Sequence, residues 1–292
     1  MNTVTNVLNM VYQVSYFIMP LFIVLLVFNS GMSEHPRTIL STVRHNWSYF
    51  LRLILLNNLL IPLGLWLILR LMPIESNYAI GLMILFLCAG ASTVIAFVQA
   101  THNQTVFAVS SMILLTLSTV VFLPILLPFM IEGAEITSFD LVGSLVSSIL
   151  LPLSAGSVMR LLFTDLSSRI RPYALKLQKT TMTLAIYGMM IGLLPELISL
   201  IGSGVIVSSI GIVAVASVIG FVMEYSNTNE AMRITSGFTS GQRNGAVAYA
   251  VVINNFSDPS VLLTIAVATT ISTVVFSMLS NYMGKVKLEE AR

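Results

Sequence analysis

The segment from Thr235 to Gly245 places an arginine and several polar side chains inside an otherwise apolar run. It reads Thr-Ser-Gly-Phe-Thr-Ser-Gly-Gln-Arg-Asn-Gly, and its arginine is Arg243. A charged arginine at the centre of a membrane helix costs about 2.5–3.5 kcal/mol even on the lenient insertion scale, so it should face a partner or a wet cavity. The guanidinium can donate to backbone carbonyls, hold a carboxylate through two parallel hydrogen bonds, or only tie helices together. All three interpretations stay open. The candidate binding residues of this segment are Thr239, Ser240, Gln242, Arg243 and Asn244.

A second group of polar residues lies in earlier apolar runs. Ser92 and Thr93 follow the small residues Ala89-Gly90-Ala91 in one run, and Asn57 and Asn58 are adjacent in another. Small and hydroxyl residues are also common where transmembrane helices pack closely, and an unpaired amide is costly in hydrocarbon. Each pair can therefore be interpreted in two ways: its residues line a binding site, or they form contacts between helices. Ser92, Thr93 and Asn57 join the candidate site.

Residues that would support enzymatic chemistry are missing from the apolar runs. No Ser-His-Asp set and no paired carboxylates occur there, and His35, His45 and His102 are too scattered for a metal cluster. We therefore predict that the protein is not an enzyme and has no catalytic residue, metal centre or cofactor. The net charge of +2 also argues against a nucleic-acid partner, which requires clustered basic residues.

The composition indicates a membrane protein. Hydrophobic residues make up 56% of the 292 residues and charged residues only 9%, against roughly 25% charged residues in a soluble domain. A hydrocarbon core of about 30 Å needs about 20 apolar residues per helix, so the charge-free runs predict an all-α integral membrane protein with about nine transmembrane helices. The predicted spans are 11–32, 48–72, 77–103, 105–131, 139–163, 175–199, 205–226, 230–255 and 258–283. A turn at Ile201–Gly204 separates the sixth from the seventh.

Basic residues predict the orientation in the membrane, because Lys and Arg gather on the cytoplasmic side. Of the 14 Lys and Arg residues, all but Arg70 and Arg243 fall on one face of the predicted helices. The other face carries Arg70 and a set of acids. We therefore predict a bacterial-type inner or plasma membrane location surrounded by lipid, with the N-terminus outside and the C-terminus in the cytoplasm. The acids on the outer face are Glu75, Glu132, Glu135 and Asp258.

Two of the predicted spans differ from plain Leu/Ile/Val/Met helices. They are the third, through Leu87–Val94, and the eighth, through Thr235–Gly245. Backbone can unwind at membrane depth only where protein or a water-filled cavity satisfies its N–H and C=O groups. Glycine-interrupted spans at corresponding places in two halves indicate a transporter site. We predict two crossing discontinuous helices from inverted repeats, unwound near Ser92-Thr93 and Thr239–Gly241.

At these residues the chain resembles the bile acid:sodium symporter family. Phe28-Asn29-Ser30-Gly31-Met32-Ser33 is similar to the family's Phe-Gly-Met-Gly-Leu end of an early helix. Asn57-Asn58-Leu59-Leu60-Ile61-Pro62 is similar to its Gln-Phe-x-x-Met-Pro segment, with Asn57 at the glutamine position. Residues 79–93 parallel the stretch that ends Pro-Gly-Gly-x-Ala-Ser-Asn in the first crossing helix.

Two later motifs extend the resemblance. Pro124 and Pro128 repeat a Pro-x-x-x-Pro spacing, which sets Thr116 on a threonine that binds sodium in the family. The segment 239–244 lies on the Glu-x-Gly-Met-Gln-Asn motif of the second crossing helix. The order and spacing of these motifs together make the resemblance fairly specific.

The resemblance implies a core domain with two crossing helices, a smaller panel domain, and substrate between them. The family fold has ten helices, and we expect a nine-span variant that begins at the second. The panel would be approximately 11–32 and 139–199, and the core approximately 48–131 and 205–283. Transport would proceed by alternating access. The implied substrate is a small organic anion, since family substrates include bile acids, pantoate and oxoacids.

Sodium coupling is where the chain departs from the family pattern. The family's sodium sites use a glutamate in the second crossing helix and a glutamine four residues later, and here these positions are Thr239 and Arg243. An arginine keeps its charge in proteins and would repel sodium. We therefore expect weak or absent coupling, with Na⁺ as the candidate coupling ion. A channel and a non-transporting receptor or scaffold remain the alternative functions, and the oligomeric state stays open.

Overall fold

All regular structure in the part of the chain described by the computed structural model, residues 3–71, 74–131 and 138–290, is helical. Each long helix contains a long apolar run, and glycine or proline residues mark several of the ends. The helices are α1 (Thr3–Gly31), α2 (Pro36–His45), α3 (Trp47–Leu69), α4 (Ser76–Leu87), α5 (Thr93–Ala100), α6 (Val106–Met130), α7 (Phe139–Leu162), α8 (Thr164–Gly192), α9 (Leu194–Ile201), α10 (Val205–Met223), α11 (Glu230–Gly241), α12 (Gly245–Asn255) and α13 (Pro259–Glu290).

Six of these helices are long and apolar enough to cross a membrane, namely α1, α3, α6, α7, α10 and α13. Helices α8 and α9 meet the same criterion as a pair that bends by 73° at its break. Pro195 lies in the first turn of α9, where its missing N–H accommodates such a break. The prediction of an all-α integral membrane protein is confirmed at the level of class.

The predicted span boundaries lie within three residues of the helix ends, except at the starts of α1 and α8 and at the end of α13. Helix α1 begins at Thr3 rather than 11, and α8 begins at Thr164 rather than 175. Helix α13 ends at Glu290 rather than 283. Helices α8 and α13 continue past the charge-free runs, because a helix can carry charged residues once it leaves the hydrocarbon, whereas the extra residues of α1 carry no charge. The turn predicted at Ile201–Gly204 is present. Gly204 adopts a left-handed conformation with φ of 79°, which a glycine adopts without strain.

Helix α2 was not predicted as a separate element. It begins with Pro36, and the ring of His35 accepts a hydrogen bond from the backbone N–H of Arg37. Its side chains are all partly or fully exposed, and the helix packs chiefly beside α6. It is short and amphipathic, so the search for apolar runs of membrane length passed over it.

Glycines bring α1 into close contact with α7 and α8. A Cβ on Gly31 would overlap the Leu153 carbonyl, and a Cβ on Gly156 would overlap the Phe28 carbonyl. Across the other face of α1, Gly188 of α8 lies against Ser15. Such small residues let helix backbones approach closely in a membrane. Helices α1, α7 and α8 therefore form one tightly packed group.

Polar contacts join helix ends at both sides of the bundle. At one side the Arg52 guanidinium holds the Glu224 carboxylate at 2.8 and 3.0 Å, with Glu224 almost fully buried. At the other side the Asn77 amide donates to the Asp258 carboxylate at 2.6 Å. The predicted outer-face acids Glu132 and Glu135 lie outside the described residues.

Candidate functional site

Two helix breaks form the centre of the site. The first separates α4 from α5 at residues 88–92, where Gly90 has a φ of 89°. The second separates α11 from α12 at residues 242–244, where Gln242 is extended with φ of −87° and ψ of 120°. The sequence placed this second break at Thr239–Gly241, which is wrong because these residues form the last turn of α11. Asn244 caps α12 by accepting from the Val247 N–H, and this cap places the break after Gly241.

The two breaks are hydrogen bonded to each other through Asn244. Its backbone N–H donates to the Cys88 carbonyl at 2.8 Å, and its side-chain amide donates to the Gly90 carbonyl at 2.9 Å. The same amide donates to the Thr116 hydroxyl at 3.3 Å, and that hydroxyl donates to the Gly90 carbonyl at 3.2 Å. These contacts satisfy carbonyls that the first break removes from the helical ladder. The predicted residues Thr116 and Asn244 are thus brought together.

Three further polar residues, on α3 and α6, form a hydrogen-bond network next to the first break. The Ala89 N–H donates to the Thr119 hydroxyl at 3.1 Å, and this hydroxyl donates to the Asn58 side-chain oxygen at 3.2 Å. The Asn58 amide donates to the Ser118 hydroxyl at 2.8 Å. Thr119 and Ser118 were missed by the sequence analysis. Thr119 could have been predicted from the sequence, since it lies one helical turn after Thr116 on α6 and therefore on the same face of the helix.

Arg243 reaches from the second break to α3. Its side chain is buried, and one terminal nitrogen, Nη1, donates to the Asn57 carbonyl at 3.1 Å. The guanidinium carbon lies 4.8 Å from the ring centroid of Phe86, within the range of a cation–π contact. The other two guanidinium nitrogens, Nε and Nη2, are buried without a hydrogen-bond partner among the described residues.

Pro62 explains why the Asn57 carbonyl is available to Arg243. Residues Leu56–Leu60 form a π-helical turn in which the Ile61 N–H donates to the Leu56 carbonyl, five residues earlier. The same pattern would pair the Asn57 carbonyl with residue 62, and proline has no N–H to give. The local sequence of α3 therefore leaves a free carbonyl inside the protein, and Arg243 supplies the missing donor.

The remaining candidate residues surround these contacts. The Asn57 amide donates to the Ser240 hydroxyl at 3.3 Å, which ties α3 to α11. The Gln242 amide donates to the Thr273 hydroxyl of α13 at 3.0 Å. Several buried oxygens at the breaks have no partner among the described residues, which leaves them available to water or a ligand. They are Asn57 Oδ1, Thr93 Oγ1, Thr239 Oγ1 and Gln242 Oε1.

A cavity of about 170 Å³ lies beside the two breaks, on the side that faces α1 and α8. The N-terminal ends of α5 and α12 both border it, and helix N-termini favour negative charge. Arg243 is the charged residue among the described lining residues, and no acid borders the cavity there. An anion is therefore the electrostatically favoured occupant. The lining includes Phe22, Leu26, Ser92, Thr93, Met182, Ile186, Tyr187, Gln242, Arg243, Asn244, Gly245, Tyr249, Thr269, Thr270 and Thr273.

A larger cavity of about 490 Å³ lies between α3 and α10. Its described lining is apolar except for Ser208, and it includes Gly64 and Gly211. A charged or strongly polar ligand would find no matching groups there. The chemistry of the site is therefore concentrated in the smaller cavity at the helix breaks.

The fold and the site together define a polytopic helical membrane protein whose binding groups lie where helices are interrupted. The chain belongs to the Sodium Bile acid symporter family, whose model matches residues 19–198. The members of this family are transporters rather than enzymes, in agreement with the sequence prediction. The matched range ends within α9, so the second break and Arg243 lie beyond it. A search of curated proteins found no match to the chain.

Proposed function

We propose that the protein is a secondary active transporter that moves a small organic anion by alternating access. The observation that carries this proposal is the cavity at the two helix breaks, bordered by two helix N-termini and a buried arginine and lacking acids among its described lining residues. Carboxylates and similar anions complement such a site. Membership in a family of transporters supports the same conclusion.

The proposed topology has nine spans, with α4 and α5 forming one discontinuous span and α11 and α12 another. Counting α8 with α9 as a single bent span completes the nine. Contacts at helix ends support this arrangement. Arg52 and Glu224 both fall on the proposed cytoplasmic side, whereas Asn77 and Asp258 both fall on the outer side. The N-terminus is then outside and the C-terminus in the cytoplasm, as the distribution of basic residues predicts.

Alternating access would follow from movement between two groups of helices. The tightly packed helices α1, α7 and α8 correspond to the panel expected from 11–32 and 139–199, and the helices carrying the breaks belong to the core. The cavity is bordered by Phe22 and Leu26, in the half of α1 that is nearer the cytoplasm in the proposed topology. Nearer the outer side, the Tyr16 hydroxyl donates to the Ile253 carbonyl at 3.3 Å and joins the two groups. We therefore assign this conformation as open inward and closed outward.

The candidate residues take two roles in this proposal. Ser92, Thr93, Gln242 and Asn244 border the cavity and are the proposed substrate contacts. The others hold the breaks in position, and Arg243 in addition borders the cavity and contributes its positive charge. These positioning residues are Asn57, Thr116, Thr239, Ser240 and Arg243.

Uptake in proteoliposomes tests this function. Purified protein is first screened against small organic acids by thermal shift, since a ligand that binds the folded state raises Tm. The acid that gives the largest shift is then tested for saturable uptake, with Gln242→Ala as the site variant and Asn281→Ala of α13 as a matched exposed amide control. We expect uptake to be lost or strongly reduced only in the site variant. Binding without uptake would indicate a receptor or scaffold, and unsaturable flux would indicate a channel.

A further inference from the structure

Three carbonyl oxygens at the first helix break and on the neighbouring α3 already accept hydrogen bonds from N–H groups of residues 243 and 244. Unwound backbone carbonyls are the groups that coordinate sodium in transporters with broken helices. Here the Asn244 N–H takes the Cys88 carbonyl, the Asn244 amide takes the Gly90 carbonyl, and Arg243 takes the Asn57 carbonyl. Each oxygen therefore accepts a hydrogen bond from residue 243 or 244 in place of coordinating a cation.

The charge of Arg243 also opposes sodium binding. Two unit positive charges about 4 Å apart, at an effective dielectric of about 20, repel enough to weaken binding by about a thousandfold. A nearby carboxylate would relieve this repulsion, but the buried acid among the described residues is Glu224, which Arg52 already holds. The residues present at the breaks therefore do not fit the sodium ion that the family name implies.

We infer that Arg243 is a built-in cation that replaces the coupling sodium ion, so that transport proceeds without sodium. The guanidinium holds the second break to α3 through the Asn57 carbonyl and lies against Phe86, and both contacts are made by the protein alone. What the inference says about movement of the substrate rests on the proposed transport function. Without sodium as the driving ion, secondary active transport of the substrate would require exchange for a second anion or coupling to another ion.

The first test measures sodium binding and requires no transport. The Tm of the purified wild-type protein is compared in sodium chloride and in choline chloride at equal ionic strength. We expect the same Tm in both salts. A saturable sodium-dependent rise of about 3 °C or more would overturn the inference, because a ligand that binds the folded state must stabilise it.

Variants of Arg243 assign the effect to the guanidinium. Arg243→Gln removes the charge, and Thr239→Glu with Arg243→Gln also adds a carboxylate where the Thr239 hydroxyl lies unpaired. We expect the double variant to gain a saturable sodium-dependent rise in Tm. Arg243→Lys retains the charge and should stay insensitive to sodium. Arg233→Gln, on helix α11 and outside the site, is the matched control and should also stay insensitive.

Two outcomes separate the inference from the proposed function. If the folded double variant stays as insensitive to sodium as the wild type, Arg243 is not what excludes sodium and the inference fails. If sodium has no effect on the wild-type Tm and the double variant responds, the inference stands even where no organic acid is transported. Where uptake is found, it should be equal in sodium and choline and should increase severalfold when the vesicles contain unlabelled substrate.

Discussion

Asn244 shows how a single residue can connect two interrupted helices. Its backbone and side chain donate to carbonyls of the first break, and its side-chain oxygen caps α12 through the Val247 N–H. An asparagine amide offers two donors and an acceptor, so it can serve all these groups from one position. Asn244 is largely buried, which makes each contact harder to replace by water.

Asn244→Ala should therefore destabilise the protein by about 1–3 kcal/mol, because the Gly90 carbonyl loses a donor and α12 loses its cap. The measurement is Tm in detergent, read alongside ligand binding. Asn254→Ala is the control, since Asn254 is exposed near the end of the same helix and donates only to the Ala250 carbonyl one turn earlier. A Tm for Asn244→Ala equal to that of the control would mean that this asparagine does not hold the breaks together.

At the scale of helices, the sequence predicts the apolar spans better than it predicts the contacts between them. Charge-free runs of membrane length were enough to place most helices, because the bilayer imposes length and composition directly. The short helix α2 was not predicted, and the second break was predicted at the wrong residues, since each depends on a local cap or an amphipathic pattern. The contact from Arg243 to Asn57 required the tertiary arrangement, although the Pro62 that frees this carbonyl is visible in the sequence.

Close packing of α1 against α7 gives a prediction at this scale. Gly156→Ala should destabilise the protein by about 1–3 kcal/mol, because the added methyl group overlaps the Phe28 carbonyl and the helices must separate. Gly143→Ala on the same helix meets no neighbouring atom and should be neutral or slightly stabilising, as alanine favours helix. Comparing the Tm of the two variants isolates the effect of the interface. Equal Tm values would show that α1 and α7 are not held at this distance.

For the whole molecule, the arrangement of basic residues predicts the two sides of the membrane. Single cysteines at Thr5 and Glu290 should be labelled by an impermeant reagent from opposite faces of intact cells, with position 5 reached from outside. Both positions are suitable for labelling because Thr5 and Glu290 are exposed in the structure. The native Cys88 is buried and provides the background control. Labelling of both from the same face would exclude an odd number of spans.

If transport proceeds by alternating access, a cross-link at the contact between Tyr16 and Ile253 should stop it. These residues join α1 to α12 on the outer side of the cavity, and the outward-open state of the proposed cycle requires them to separate. A short thiol cross-linker between cysteines at 16 and 253 should abolish uptake, and a reductant that cleaves the linker should restore it.

Cysteines at 77 and 258 are the matched control, because Asn77 and Asp258 are also in contact but both belong to the proposed core. Cross-linking them should leave uptake intact. Full uptake with the 16–253 linkage in place would show that α1 and α12 do not separate during transport, and the proposed movement of panel against core would be wrong.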